Sequence, residues 1–173
     1  MGKRFIILTF GFICTFAANA QNFSTEFLNS INQRKVSVEF LGLVTQRNIS
    51  VTTINSSMIE SLRRREQNKE VQAFLSELTF LRVMTVDNPK NTVAFHETAL
   101  SLLRKNKDFE ELLSREEGKQ QILIVALTPK NNRTSEVVMI SNINNASLTI
   151  VNITGNIDIS DLSQLATTIR NLR

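Results

Sequence analysis

Apolar residues recur at helical spacing in the first half of the chain. Phe23, Phe27 and Ile31 lie four residues apart and predict a short amphipathic helix. Two further apolar stripes each fit one face of a helix, and they consist of Val71, Phe74, Leu75 and Leu78, and of Phe95, Ala99, Leu102 and Leu103. The first half of the chain is therefore predicted to be rich in helices.

Three polar residues indicate where helices begin. Ser57 and Glu60 have the spacing of a capping box, which predicts a helix start at Ser57. Asn88 precedes Pro89, and this order favours a helix with Asn88 as its N-cap, because proline at the first helical position loses no hydrogen bond.

Runs of apolar and β-branched residues predict strands between these helices and through the second half. They span residues 49–54, 80–86, 121–127, 137–143 and 148–153. Asn144 and Asn145 separate the last two runs and predict a tight hairpin, since asparagine tolerates a positive φ. Residues 36–45 fit a strand or a helical face equally well, so no element is predicted there.

Residues 109–117 leave two alternatives open. Their glutamates and leucines are strong helix formers and would extend the preceding helix. The turn signal Glu117-Gly118-Lys119 before the run at 121–127 instead favours a hairpin, which needs a strand at 109–117.

The end of the chain returns to a helical pattern. Leu162, Leu165, Ala166 and Ile169 follow helical spacing, and Ser160 is the predicted cap. Together these elements predict a single α+β domain over residues 21–173. Its antiparallel sheet has helices packed mainly on one face, and its strand-rich second half is closed by the C-terminal helix.

The first twenty residues have the pattern of a secretory signal peptide. Lys3 and Arg4 precede an apolar run over residues 5–17, and Ala18-Asn19-Ala20 is a small-x-small cleavage pattern. The run is shorter than the ~20 residues that span a bilayer. We expect cleavage between Ala20 and Gln21, with no integral membrane span in the mature protein.

Cys14 is the only cysteine and lies inside this apolar run, preceded by Ile13. A lipid-attachment cysteine would be expected to follow a small residue, so a soluble periplasmic or secreted product is favoured over a lipoprotein. The formal net charge is +4, of which two charges belong to Lys3 and Arg4. The remaining +2 gives no indication of a nucleic-acid partner.

Candidate chemistry is sparse. His96 is the only histidine, and without a cysteine in the mature chain it cannot complete a metal site of the zinc type. An ordinary boundary position is the favoured interpretation of His96 over a catalytic base. We therefore expect no catalytic, metal or cofactor-binding residues and no cofactor.

Charged clusters also have simple structural interpretations. Glu110, Glu111, Glu116 and Glu117 occur as adjacent pairs, which point apart on a helix and to opposite faces on a strand. Asp158 and Asp161 lie at a predicted helix start, where acidic residues are stabilised by the helix dipole. Arg63, Arg64 and Arg65 fan around a helix, where Glu60 can pair with Arg64.

Four segments carry a family resemblance: Ile54-Asn55-Ser56-Ser57-Met58, Leu81-Arg82-Val83-Met84, Asp108-Phe109-Glu110-Glu111-Leu112-Leu113 and Ile153-Thr154-Gly155-Asn156-Ile157-Asp158-Ile159-Ser160-Asp161-Leu162. With the order of elements, they resemble the exported domain-of-unknown-function family DUF4252 of Bacteroidota over about residues 49–173. It implies a strand at 109–117 and brings no catalytic residue. Many relatives carry a lipobox, from which this chain departs.

Two functional hypotheses follow. The first is an exported, non-catalytic envelope protein that binds an unknown partner protein or ligand. The second is a hydrolase acting on envelope material, with His96 or an acidic residue in a cleft. A deep pocket converging on His96 would favour the hydrolase, and an exposed apolar surface without such chemistry would favour binding.

Overall fold

A computed structural model describes residues 22–33 and 49–162. Within these ranges the helices are α1 (Phe23–Gln33), α2 (Ser56–Arg65), α3 (Lys69–Glu77) and α4 (Pro89–Lys105), and a 3-10 turn covers Ile159–Asp161. The strands are β1 (Ile49–Asn55), β2 (Leu78–Val86), β3 (Phe109–Glu117), β4 (Gln120–Leu127), β5 (Arg133–Ile143) and β6 (Ser147–Asp158).

The strands form one antiparallel sheet in the order β1-β2-β6-β5-β4-β3. The last four strands are joined in sequence as a meander, and β6 returns to pair with β2 at the centre. Its central strands are β2, β6, β5 and β4, whereas β1 and β3 lie at the two edges. The predicted α+β class and the antiparallel sheet are confirmed.

Alternation along the strands gives the sheet two apolar faces. The first face carries Met84, Val138 and Ile150, and it is covered by Phe23 and Phe27 of α1 and by Phe95, Ala99 and Leu103 of α4. The second face carries Val83, Met139 and Val151, and it is joined by Ile59 of α2 and by Phe74 and Leu75 of α3.

Most fully buried helical side chains lie on the first face, as the sequence predicted. α2 and α3 contribute fewer buried side chains, and these belong to the core of the second face. Binary patterning shows which side chains of an element are buried, but it does not show against which face of a sheet that element packs.

The strand alternative for residues 109–117 is confirmed. These residues form β3, which pairs with β4 through the hairpin at Gly118, where φ is +60°. Pairing with β4 overrides the helix propensity of the glutamates and leucines, as tertiary context often does. The hairpin between β5 and β6 is also confirmed, with positive φ at Asn144 and Asn145.

One predicted cap is wrong and is displaced by two residues toward the N-terminus. The side chain of Asn55, not Ser57, accepts the N–H of Met58 at 3.1 Å and caps α2. The side chain of Asp158 accepts the N–H of Ser160 at 2.9 Å and caps the 3-10 turn, whereas the helix for which Ser160 is the predicted cap lies outside the described residues. Asn88 caps α4 as predicted.

Other boundaries shift modestly. Leu78, which shares a helical face with Val71, is the first residue of β2 rather than part of α3. The closing helix predicted from Leu165, Ala166 and Ile169 lies outside the described residues, as do residues 36–45 and the predicted signal peptide.

Candidate functional site

A groove of about 460 Å³ lies on the first face of the sheet, between α4 and the hairpin of β3 and β4. Its apolar wall includes Leu100 and Leu103 from α4, Phe109 from β3, and Leu123 and Val125 from β4. The groove exists because α1 and α4 cover the central strands and leave the β3 side of this face uncovered.

Polar side chains surround this apolar surface. Arg104 reaches the groove from α4, whereas Glu111, Ser114 and Glu116 reach it from β3. A register shift between Glu111 and Leu113 places Glu111 opposite Val125 and Glu116 opposite Gln121 on the same face. The two glutamates thus share a face although they are five positions apart, an arrangement that strict alternation from the sequence does not predict.

His96 also lines this groove, and its ring is fixed by a neighbouring amide. Asn142 Nδ2 lies 3.1 Å from His96 Nδ1 and 2.8 Å from Asn145 Oδ1. Asn142 Oδ1 accepts the backbone N–H of Asn145 at 3.1 Å. Because that N–H must meet an oxygen, the NH₂ group of Asn142 faces His96 and donates to Nδ1.

This hydrogen bond determines the proton distribution of the imidazole. With Nδ1 accepting, the neutral ring carries its proton on Nε2, which can then donate to a ligand but cannot accept a proton. A histidine base in a hydrolytic triad needs the opposite tautomer, with Nδ1–H held by an acceptor. Burial lowers the pKa of His96, opposed by the charge of Glu97, so the neutral form predominates at pH 7.

The groove can therefore hold an apolar group and hydrogen-bond a polar one. Its walls supply apolar area, Arg104 supplies a cationic donor, and His96 supplies a neutral one. Among the described residues, no group of three or more His, Cys, Asp or Glu side chains is placed to hold a metal ion. No described helix is both long and apolar enough to cross a bilayer.

A family model matches most of the chain. Residues 43–165 match DUF4252, which is described as a domain of unknown function. The chain belongs to this family. No curated protein gives a significant match to the DUF4252 chain.

The segment of the DUF4252 chain from Gly155 to Asp158 makes close contacts with α3 and β5. Gly155 passes so close to α3 that a Cβ atom would lie 2.1 Å from the carbonyl oxygen of Glu77. Asn156 Oδ1 accepts from Arg133 Nε at 2.8 Å, and Arg133 also pairs with Glu77 at 2.6 Å. Asp158 joins this cluster at 3.7 Å from Arg133 and caps the 3-10 turn.

The arginine cluster of the DUF4252 chain likewise forms local ion pairs. Glu60 accepts from Arg63 at 2.8 Å and from Arg64 at 2.9 Å, and the second pair is the one predicted from sequence. Hydrogen bonds from the two arginines lower the pKa of Glu60 to about 2. These groups are solvated, so the ion pairs contribute little to stability.

Sequence analysis missed a buried polar cluster beneath α1. Glu136 is 9% exposed, and its Oε1 accepts the N–H of Phe23 at 2.8 Å and Asn152 Nδ2 at 2.7 Å. Asn152 Oδ1 in turn accepts the N–H of Ser24 at 3.3 Å. Glu136 and Asn152 thus bind the first turn of α1, whose N–H groups have no partner within the helix.

The only sequence signal for this cluster is the interruption of two apolar strands by Glu136 and Asn152. Burial raises the pKa of Glu136, opposed by the hydrogen bonds from Asn152 and Phe23. The cluster lies under α1 rather than in the groove, and Glu136 Oε1 and the amide of Asn152 are hydrogen-bonded to α1 and to each other. These hydrogen bonds hold the first turn of α1 against the sheet.

Proposed function

We propose that this DUF4252 protein is an exported, non-catalytic protein of the cell envelope. It binds a partner protein or ligand in the groove between α4 and the β3–β4 hairpin. The tautomer of His96 carries the proposal, because a ring that accepts at Nδ1 has no basic nitrogen left to act as a general base. Glu111 and Glu116 also line the groove, so the hydrolase hypothesis is left with these carboxylates. Apolar walls with a few convergent polar groups are typical of binding sites.

Export is proposed from residues 1–20 of the sequence, and the resemblance to exported proteins of Bacteroidota supports it. Cleavage after Ala20 would leave α1 starting two residues beyond the new N-terminus at Gln21. Intact-mass analysis of protein purified from its host should give a chain beginning at Gln21. Retention of Met1, or a lipid on Cys14, would contradict a periplasmic or secreted soluble product.

The proposed binding role of the groove is tested by filling the groove with a large side chain. Ser114 lines the groove from an exposed position on β3, so Ser114→Trp should fill the groove without disturbing the core. Leu113→Trp is the matched control, since Leu113 is 40% exposed and lies on the opposite face of the same strand. In a deletion strain, Leu113→Trp should restore the phenotype and Ser114→Trp should not.

His96→Ala separates binding from hydrolysis. Removal of one neutral hydrogen bond costs ~1 kcal/mol, which is about a fivefold to tenfold loss of affinity. Loss of a general base would instead cost ~10²–10⁴-fold in rate. We expect His96→Ala to complement the deletion nearly as well as the parent. Complete failure by a folded, exported His96→Ala protein would favour the hydrolase hypothesis.

A further inference from the structure

The groove beside β3 has about the width of one helix. Neighbouring strands are ~4.8 Å apart, so β3 and β4 together are about as wide as an α-helix with its side chains. Among the described residues, α1 and α4 cover the central strands of this face and leave the β3 side uncovered. A third helix lying beside α4 would complete the helical layer on this face.

Apolar side chains on both walls of the groove are in partial contact with solvent. Leu100 of α4 and Leu123 of β4 are half-buried. Val93 is 47% exposed and lies seven residues before Leu100, on the same face of α4. An amphipathic helix beside α4 would cover these side chains with its own apolar stripe, as in helix-in-groove recognition.

Carboxylates outnumber cations around this apolar surface. Glu111 and Glu116 reach the groove from β3. Glu97 and Arg104 are seven residues apart and lie on the same side of α4. Within the described part of the chain, none of these four side chains forms an ion pair.

The second cation that borders the groove, Arg115, is already engaged. It pairs with Glu117 at 3.2 Å, and strand alternation places both residues on the face of β3 opposite to Ser114. The remaining charges at the groove are three carboxylates and the guanidinium of Arg104, so the surface is negative. A negative surface attracts a partner that carries lysine or arginine side chains.

We infer that the groove binds a basic amphipathic helix of a partner protein, an inference that rests on the proposed binding function of the groove. The helix lies beside α4, with its apolar stripe on Leu100 and Leu123. Its lysine or arginine side chains lie near Glu111 and Glu116. Charge and shape together therefore select this occupant.

Two other kinds of occupant fit the groove less well. A partner strand would have to pair with β3, whose glutamates and register shift with β4 protect that edge. A small molecule would be enclosed poorly, because Glu111, Ser114 and Glu116 on the β3 side are all exposed. Small-molecule sites normally bury most of the surface of their ligand.

Two synthetic peptides test this inference on the exported protein. Both have about 16 residues, with leucines spaced to form one stripe on a helix. The positions beside the stripe are lysines in one peptide and glutamates in the other. Fluorescence anisotropy should show that the lysine peptide binds at least ~10-fold more tightly than the glutamate peptide, and that added salt reduces this difference.

Charge reversal on β3 provides matched variants. Glu111→Lys combined with Glu116→Lys should reverse the preference between the two peptides. Glu110→Lys combined with Glu117→Lys makes the same change in net charge on the opposite face of the same strand, and it should leave the preference unchanged. Ser114→Trp should abolish the binding of both peptides.

Four outcomes would overturn the inference. Equal binding of the two peptides would show that charge does not select the occupant. Binding that survives Ser114→Trp would place the peptide on another surface. Binding that requires deletion of residues 163–173 would make that segment the occupant. If neither peptide binds although Ser114→Trp still fails to complement the deletion, the groove has a different ligand.

Failure of the proposed function gives a different result. In that case Ser114→Trp complements the deletion strain as well as Leu113→Trp does, whatever the peptides bind.

Discussion

Gly155→Ala should be strongly destabilising, because the added methyl group has no space. Its Cβ would lie 2.1 Å from the carbonyl oxygen of Glu77, 2.9 Å from Leu78 Cα and 3.0 Å from Glu77 C. All three are backbone atoms at the junction of α3 and β2, where Leu78 is in register with Gly155. Neither element can rotate a side chain away, so the backbone itself must move.

The cost can be worked out from what that movement breaks. Overpacking by one methyl group typically costs ~1–3 kcal/mol. A shift at Glu77 also disturbs its 2.6 Å pair with Arg133 and its 3.2 Å hydrogen bond from the N–H of Asp158, at ~1 kcal/mol for each bond lost. We therefore expect a loss of about 3–5 kcal/mol. In a domain of this size that loss lowers the melting temperature by about 6–20 °C.

Gly118→Ala is the matched control, since it adds the same methyl group at a position where nothing lies within 4 Å. Its cost is confined to the positive φ of +60° and should be ~1–2 kcal/mol. Thermal unfolding followed by circular dichroism measures both variants. If Gly155→Ala melted within ~2 °C of the parent, or above Gly118→Ala, the close approach of β6 to α3 would be refuted.

Two further predictions concern the interior and the C-terminal segment. Glu136→Gln keeps the oxygen that accepts from Phe23 and Asn152 but removes a buried charge. Because burial raises the folded-state pKa of Glu136, the parent loses stability as pH rises from about 4.5 through that raised pKa. Melting temperatures of the parent and Glu136→Gln should hence converge near pH 4 and favour the variant at pH 8; a constant difference would show that Glu136 does not titrate in this range. Leu165→Ala should cost ~2–5 kcal/mol if the predicted closing helix docks on the domain, whereas Gln164→Ala should have almost no effect. Equal, small effects at the two positions would mean that the helix is not docked.

The order of elements in the described residues follows from local patterns. Phe23, Phe27 and Ile31 predict α1 because four-residue spacing puts them on one helical face. Asn144 and Asn145 predict the β5–β6 hairpin because few other residues accept a positive φ at low cost. These predictions succeed because they depend only on neighbours in the sequence.

The cap of α2 and the conformation of residues 109–117 could not be predicted from neighbouring residues alone. Ser57 and Asn55 are both capable caps, and the length of β1 decides that Asn55 is used. Helix propensity and strand pairing compete over residues 109–117, and only the presence of β4 alongside decides for the strand. Each choice depends on an element that is distant in sequence.

The sequence by itself determined the α+β class and most of the described elements, since periodicity and residue type are local properties. Only the tertiary structure decided that α1 and α4 leave the β3 side of one sheet face open, and that Asn142 fixes the tautomer of His96 from 46 residues away. It also brought Glu136 of β5 under the first turn of α1, 113 residues earlier in the chain. Hydrogen bonds of this kind depend on packing between distant segments, and no local pattern records which segments meet.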